Sequence, residues 1–373
     1  MVQEDKLTKV SRDVIHVLKS VLHNKTVDEL KEEGITYQDV IAFSKFHQIE
    51  NIVFTGIEKY LEDDLKTKWK KKITQNIVGS FSQIEEKNVL VSEFTKNEIE
   101  FMPLKGFYLK EMYPRLDYRT MSDLDILINP KKAKKAKKMM KKLGYDVVEY
   151  GMNHHDEYLK KPFVAVELHR SLLSLDDPNY SYYKDIFERV KPSESNKYFY
   201  KMGIEDFYIF FLLHFYKHYQ KGGSGIRTIM DIYILLTSKD EVINHEYLNQ
   251  ELEKLKIKEF KDVMETIAFD WFSDKEAENN ERIEKTKRFI LSSGIHGTTK
   301  YLVEAQIQNQ GGDKMKSFFK RAFPNVSRMK AMYPILDKII ILLPFCYIHR
   351  ILRVMIKHRG KFNEEINRYK DKN

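Results

Sequence analysis

Cysteine is nearly absent from this 373-residue chain, where Cys346 stands alone. A single thiol excludes an intrachain disulfide framework and a cysteine-based zinc site within one chain, and it fits a reducing, cytoplasmic setting. Glycine and proline are also sparse, at 15 and 9 residues, which excludes a collagen-like or loop-dominated architecture and leaves long helices as the expectation. Long apolar runs are missing too. The longest, Ile339 to Ile348, falls well short of the roughly 20 apolar residues a membrane-spanning helix needs, and Asp337, Lys338, His349 and Arg350 bound it closely. The opening MVQEDKLTKV lacks the apolar core of a signal peptide, so the reading is a soluble protein with no visible secretion route and no stable membrane insertion.

What is present is apolar and aromatic mass. Hydrophobic residues make up 42% of the chain, and 23 Phe with 22 Tyr supply large contact areas, enough to bury more than one core and to suggest two or three domains. Lysine and arginine outnumber the acids by 64 to 55, leaving +9, which suits a polyanionic ligand such as a nucleotide or nucleic acid without choosing between them.

From Lys6 to about Glu98 apolar residues recur at helical spacing, as in Val14, Val17, Leu18 and Val21, and a long helix is predicted over roughly Thr67 to Lys96. At Ile99 the texture changes to short β-like runs separated by helices: IEFMPL, GFYLKEMY, SDLDILI, a lysine-rich helix, YDVVEY, HDEYLK and FVAVELH. The lysine-rich helix carries Ala133, Ala136, Met139, Met140 and Leu143 on one face and reads as an amphipathic helix laid on a sheet, with a nucleic-acid surface as the alternative; Gly144 supplies its stop. Beyond about Gly203 helical texture returns. The fold class expected is therefore α+β, with an α/β domain at 97–200 between an N-terminal helical domain at 1–96 and a C-terminal helical domain at 201–373.

The informative segment is Ser122-Asp123-Leu124-Asp125-Ile126-Leu127-Ile128. Strand alternation puts Asp123 and Asp125 on one face and Leu124, Ile126 and Ile128 on the other. Crowding two like charges costs free energy unless a divalent cation offsets it. A third carboxylate, Glu167, alternates with Val166 and Leu168 on another strand that could lie alongside. Three carboxylates can hold two metals about 3.5 to 4 Å apart, an arrangement suited to phosphoryl transfer. Upstream, Lys105 and Gly106 stand where a strand ends and a helix begins, offering a cation and a close backbone approach to phosphate. Arg119 and Ser122 could meet phosphate oxygens, with a structural salt bridge the equal alternative for Arg119. His169 projects to the face of Glu167, placed to orient a carboxylate or touch substrate.

Other groupings read more plainly. In His154, His155 and Asp156 adjacent strand residues point oppositely, which argues against a shared metal. His214 and His218 are four apart on a helix but lack the glutamate of a zinc-protease motif. The turn Gly222-Gly223-Ser224-Gly225 is no Walker motif and is expected to be a mobile loop at a cleft. The stretch from Ile339 to Lys357 reads as core packing interrupted by Pro344, rather than a membrane-docking helix.

The motifs Leu104-Lys105-Gly106, Tyr113-Pro114, Arg119, Ser122 to Leu127, and Glu167-Leu168-His169 make the chain resemble the uncharacterised bacterial nucleotidyltransferase family of the polymerase-β-like superfamily. The similarity extends to HFYKHYQKGGSGIRTIMDIYILL and to FPNVSRMKAMYPILDKIIILLPFCYIHRILR, nearly the whole chain. The superfamily signature has Gly-Gly or Gly-Ser at the helix start, where this chain has Lys105-Gly106-Phe107. The resemblance implies that Asp123 and Asp125 ligate Mg2+ or Mn2+, that Glu167 completes the site beside the attacking group, and that Arg227 and Asp231 face the nucleotide. The expected reaction moves a nucleoside monophosphate from a nucleoside triphosphate to an acceptor, which could be a small molecule, protein or RNA, with release of pyrophosphate. The alternatives are a non-catalytic nucleotide-binding regulatory module and an RNA-directed transferase that tracks its substrate along the lysine helix.

Overall fold

The computed structural model describes residues 5–162, 164–238, 242–274, 280–294 and 313–357. The chain divides into two compact units, the first comprising Met1–Ser82, Gly106–Met121 and Ile204–Thr298, the second Gln83–Lys105, Ser122–Gly203 and Thr299–Asn373.

The first unit is helical. Its opening helix, Lys6–Leu22, starts where the Asp5 carboxylate accepts the Thr8 N–H, and it buries the stripe Val10, Val14, Val17, Leu18 and Val21. Tyr37–His47 begins with a reciprocal capping box between Thr36 and Asp39. Two helices from the later chain, Ile204–Gln220 and Ile226–Thr237, bring Phe207, Phe210, Phe215, Ile229, Met230 and Ile232 into the buried interior. The turn between them, where a mobile loop was expected, is buried. Gly222 and Gly223 have φ of 125° and 133°, and a Cβ on Gly223 would lie 2.1 Å from the Ser293 Cβ, so Gly223 permits a buried close approach. The long helix runs from Asp63 to Lys96, beginning a turn before the expected start because Asp63 and Asp64 favour a helix N-terminus.

The second unit holds the sheet: β1 (Phe101–Pro103), β2 (Leu124–Ile128), β3 (Asp146–Glu149), β4 (His155–Lys160), β5 (Val164–His169), β6 (Pro192–Ser193) and β7 (Asn196–Tyr200). Among the described residues these form one mixed seven-stranded sheet in the order β3-β4-β5-β2-β1-β7-β6. β2 lies parallel to β5 and antiparallel to β1, and β4 is antiparallel to β5. Leu124, Ile126 and Ile128 are at most 1% exposed, as are Val166 and Leu168, so a buried hydrophobic face fixes the register. The lysine helix, Ala133–Lys142, buries Ala133, Ala136, Met139 and Met140, and Gly144 ends it at φ 84°. β6 and β7 had no counterpart in the sequence reading, because Pro192–Ser193 and Asn196–Tyr200 lack clean apolar alternation.

The late apolar stretch departs from core packing. Pro344 sits in the first turn of the helix Leu343–Lys357, where proline is tolerated. Cys346 joins Met329, Tyr333 and Leu336 in a small cluster, whereas Ile341, Phe345, Ile348 and Leu352 are exposed among the described residues.

Candidate active site

The register of β2 against β5 sets Asp125 opposite Glu167 and Leu127 opposite His169, and β4 adds Glu157 opposite Glu167 and His155 opposite His169. Because strand side chains alternate, one face of three adjacent strands presents Glu157, Glu167 and Asp125 in a row, with His155 and His169 one step along. Asp123 continues the same face on the N-terminal side of Asp125. One ligand atom from each of Asp125, Glu167 and His169 lies within 4.8 Å of the others.

Lys105 closes one side. It follows β1 with φ 42°, a left-handed conformation that is uncommon for a residue with a side chain, and its ammonium donates to Asp125 Oδ1 at 2.7 Å. Burial works against the Lys105 charge, but Asp125, Glu167 and Asp123 outweigh it and raise the lysine above its usual range. His169 Nε2 lies 2.8 Å from the same Asp125 oxygen and 3.4 Å from Glu167 Oε2. Burial pushes Asp125 upward, yet Lys105 and His169 together hold it well below the ordinary carboxylate range. Glu167 is likewise lowered, its burial overcome by the His169 hydrogen bond and by His155. Asp123 is pushed up to about 7, first by burial and then by the charges of Asp125 and Glu167. Asp123, Asp125, Glu157 and Glu167 thus put four carboxylates on one face, where among the described residues Lys105 is the lysine bonded to them, an excess of negative charge that a divalent cation would offset. Oxygen donors of this kind suit Mg2+ or Mn2+.

The other sequence candidates are placed differently. Ser122, exposed, stands beside Asp123. Gly106, Arg119, Arg227 and Asp231 belong to the helical unit. Arg119 Nε and Nη2 donate to the two Asp231 carboxylate oxygens at 2.7 and 2.9 Å, and the Tyr113 hydroxyl donates to Asp231 at 2.7 Å. Of the two roles open to Arg119, the structural salt bridge is the one this geometry carries, and Asp231 spends both oxygens on it. Gly106 makes room for that pair, since a Cβ there would stand 2.4 Å from Arg119 Nη1. Arg227 donates to the Gln48 side chain at 2.8 Å and to the Thr120 carbonyl at 3.1 Å.

Sequence reasoning missed Glu157 and set His155 aside together with His154 and Asp156, although the alternation used for β2 and β5 applies equally to HDEYLK. Asp156 does turn away as expected: it is fully buried and accepts from the Gly151 N–H and the Arg170 guanidinium. His154 does not follow the alternation, because it precedes the strand, after Asn153 at φ 57°. Its ring centroid lies 4.9 Å from that of His155 and 5.4 Å from that of His169. His214 and His218 pair as rings 4.4 Å apart without joining any group of three metal-ligating residues among the described residues.

Residues 33–273, well over half the chain, match the family described as uncharacterised nucleotidyltransferase. The chain belongs to this nucleotidyltransferase family. No curated protein and no solved structure matches it. The matched segment of this nucleotidyltransferase includes β1 to β5, and with them every carboxylate of the candidate site. None of its described helices is long and apolar enough to cross a membrane.

Proposed function

We propose that this family member is a metal-dependent nucleotidyltransferase with a polymerase-β-like catalytic domain, moving a nucleoside monophosphate from a nucleoside triphosphate to an acceptor. The observation that carries the reading is the parallel β2–β5 pairing that sets Asp125 beside Glu167 on the face shared with Asp123. These three side chains would hold the magnesium or manganese ions. Bound there, divalent cations would offset the carboxylate charge, acidify an attacking hydroxyl and take up charge on departing pyrophosphate.

The remaining chemistry belongs to the chain. Lys105 keeps Asp125 ionised and lends positive charge to the triphosphate side, and the exposed Ser122 hydroxyl is free to meet a phosphate oxygen. His169, buried at 2% exposure, fixes the Asp125 carboxylate in orientation. Glu167, held ionised beside His169 and His155, accepts the proton as the acceptor oxygen bonds to the α-phosphorus. The bond from that phosphorus to the bridging oxygen breaks, and pyrophosphate leaves with the electron pair.

The test is transfer of label from α-labelled ribonucleoside triphosphates, with Mg2+ or Mn2+ and cell extract as acceptor, comparing wild type with an Asp123→Asn, Asp125→Asn double variant. Transfer in the wild type, with a loss of at least about 10³-fold in the variant, is expected for removal of the groups that stabilise transition-state charge. Nucleotide binding without transfer of label in the wild type would favour the non-catalytic module.

A further inference from the structure

A second donor set adjoins the carboxylates, and its chemistry differs. His154, His155 and His169 each place a ring nitrogen within 4.8 Å of the others. Their arrangement comes from local backbone: the antiparallel β4–β5 register sets His155 directly across from His169, and the left-handed Asn153 swings His154 to the same side. The Arg170 N–H donates to the His154 carbonyl at 2.7 Å and pins the turn to the end of β5.

Tautomers decide what the cluster can accept. His169 Nε2 faces the Asp125 carboxylate at 2.8 Å, so the proton of the neutral ring sits on Nε2 and Nδ1 carries the lone pair. That Nδ1 is buried with no protein hydrogen-bond partner, in a residue only 2% exposed. His155 is held more loosely. Its Nε2 lies 3.7 and 3.8 Å from the Glu157 and Glu167 carboxylates, within ion-pair range but beyond hydrogen-bond distance, and its Nδ1 is buried without a hydrogen-bond partner. A histidine that donates one ring nitrogen to a carboxylate and keeps a lone pair on the other, as His169 does, has the arrangement that metal-ligating histidines adopt.

We propose that His154, His155 and His169 form a binding site for a borderline transition-metal ion such as Zn2+, distinct from the oxygen-donor site of Asp123, Asp125 and Glu167. Imidazole nitrogens select such ions over Mg2+, which keeps oxygen ligands. Nitrogens around a tetrahedral ion with bonds of about 2.1 Å stand roughly 3.4 Å apart, so small side-chain rotations would draw the cluster onto the ion. Through the His169–Asp125 hydrogen bond, occupancy would bear on the orientation of the carboxylate. The site stands on this donor geometry and does not require that nucleotidyl transfer occur.

Co2+ added to the full-length wild-type protein is the probe, read by its visible ligand-field absorption and chased with Zn2+. One equivalent of Co2+ should give a nitrogen-ligated spectrum that excess Mg2+ leaves in place and Zn2+ abolishes. The affinity should fall by at least about 10-fold in His154→Ala and be kept in Asp123→Asn. His154→Gln serves if the alanine variant fails a circular-dichroism check of folding. No ligand-field absorption in the wild type would overturn the proposal. So would an unchanged spectrum in the His154 variant, or a loss confined to Asp123→Asn, which would put the cobalt on the carboxylates.

Discussion

Two buried ionic clusters, one in each unit, are built on opposite terms. In the helical unit Arg119 and Asp231 face each other with two hydrogen bonds, Tyr113 completes the carboxylate, and Lys110 donates to Ser80 Oγ and to the Arg119 carbonyl, each at 3.0 Å. The Asp231 charge there is matched by a partner. On the sheet, Asp123, Asp125 and Glu167 share one lysine and lean on histidines. The first arrangement is complete without a ligand. The second leaves negative charge in excess and the Nδ1 atoms of His155 and His169 buried without a hydrogen-bond partner, and that difference separates a structural network from a candidate binding site more surely than the presence of acids and bases alone.

The largest effect should come from breaking the complete cluster. Asp231→Ala strands the buried Arg119 guanidinium and is expected to cost about 3–5 kcal/mol in chemical denaturation, whereas Arg119→Met with Asp231→Leu should recover most of that loss. A double variant no more stable than the single one would show that the pair is not what holds this part of the unit.

The helical unit offers a second, acid-sensitive test. His47 is fully buried; its Nε2 donates to the Leu291 carbonyl at 3.1 Å and its Nδ1 accepts the Ile226 N–H at 3.2 Å, a pattern only the neutral ring can make. Burial pulls its pKa down to about 4. Between roughly pH 6.5 and 4 the unfolded chain binds a proton that the folded chain refuses, so stability falls as pH drops through that window, by about 3 kcal/mol in all. The contribution is fully present above pH 6.5. Denaturation midpoints measured across that window should fall less steeply in His47→Gln than in the wild type.

The smallest effect on stability is expected at the sheet. Asp123→Asn removes a carboxylate that burial and its neighbours already disfavour, so it should leave stability unchanged or raise it by about 1 kcal/mol or less, while activity collapses. A loss of several kcal/mol would mean that Asp123 is a structural partner like Asp231.

Much of the site was legible because alternation is a local property. The run from Asp123 to Ile128 and the run from Val164 to His169 each announce which side chains share a face, and the buried Leu124, Ile126, Val166 and Leu168 hold them to it. The neighbours were harder to read. The parallel pairing of β2 with β5 across an intervening helix and two strands depends on long-range packing, and so does the assignment of Gly106–Met121 to the helical unit. His154 escaped because a single left-handed residue, Asn153, overrides the period-two rule at the strand's edge. The glycine turn misled for a related reason: composition shows conformational freedom, but only the structure shows that Ser293 occupies the space a side chain would need.

Whether Asp123 and Asp125 hold the metal is read from Mn2+ binding by electron paramagnetic resonance, with and without a non-hydrolysable nucleoside triphosphate analogue. The wild type should take up Mn2+ more tightly when the analogue is present, and the Asp123→Asn, Asp125→Asn variant should lose that uptake while keeping its folded circular-dichroism spectrum. Equal Mn2+ uptake by the two proteins, with the analogue present, would contradict the assignment of these aspartates as the metal site.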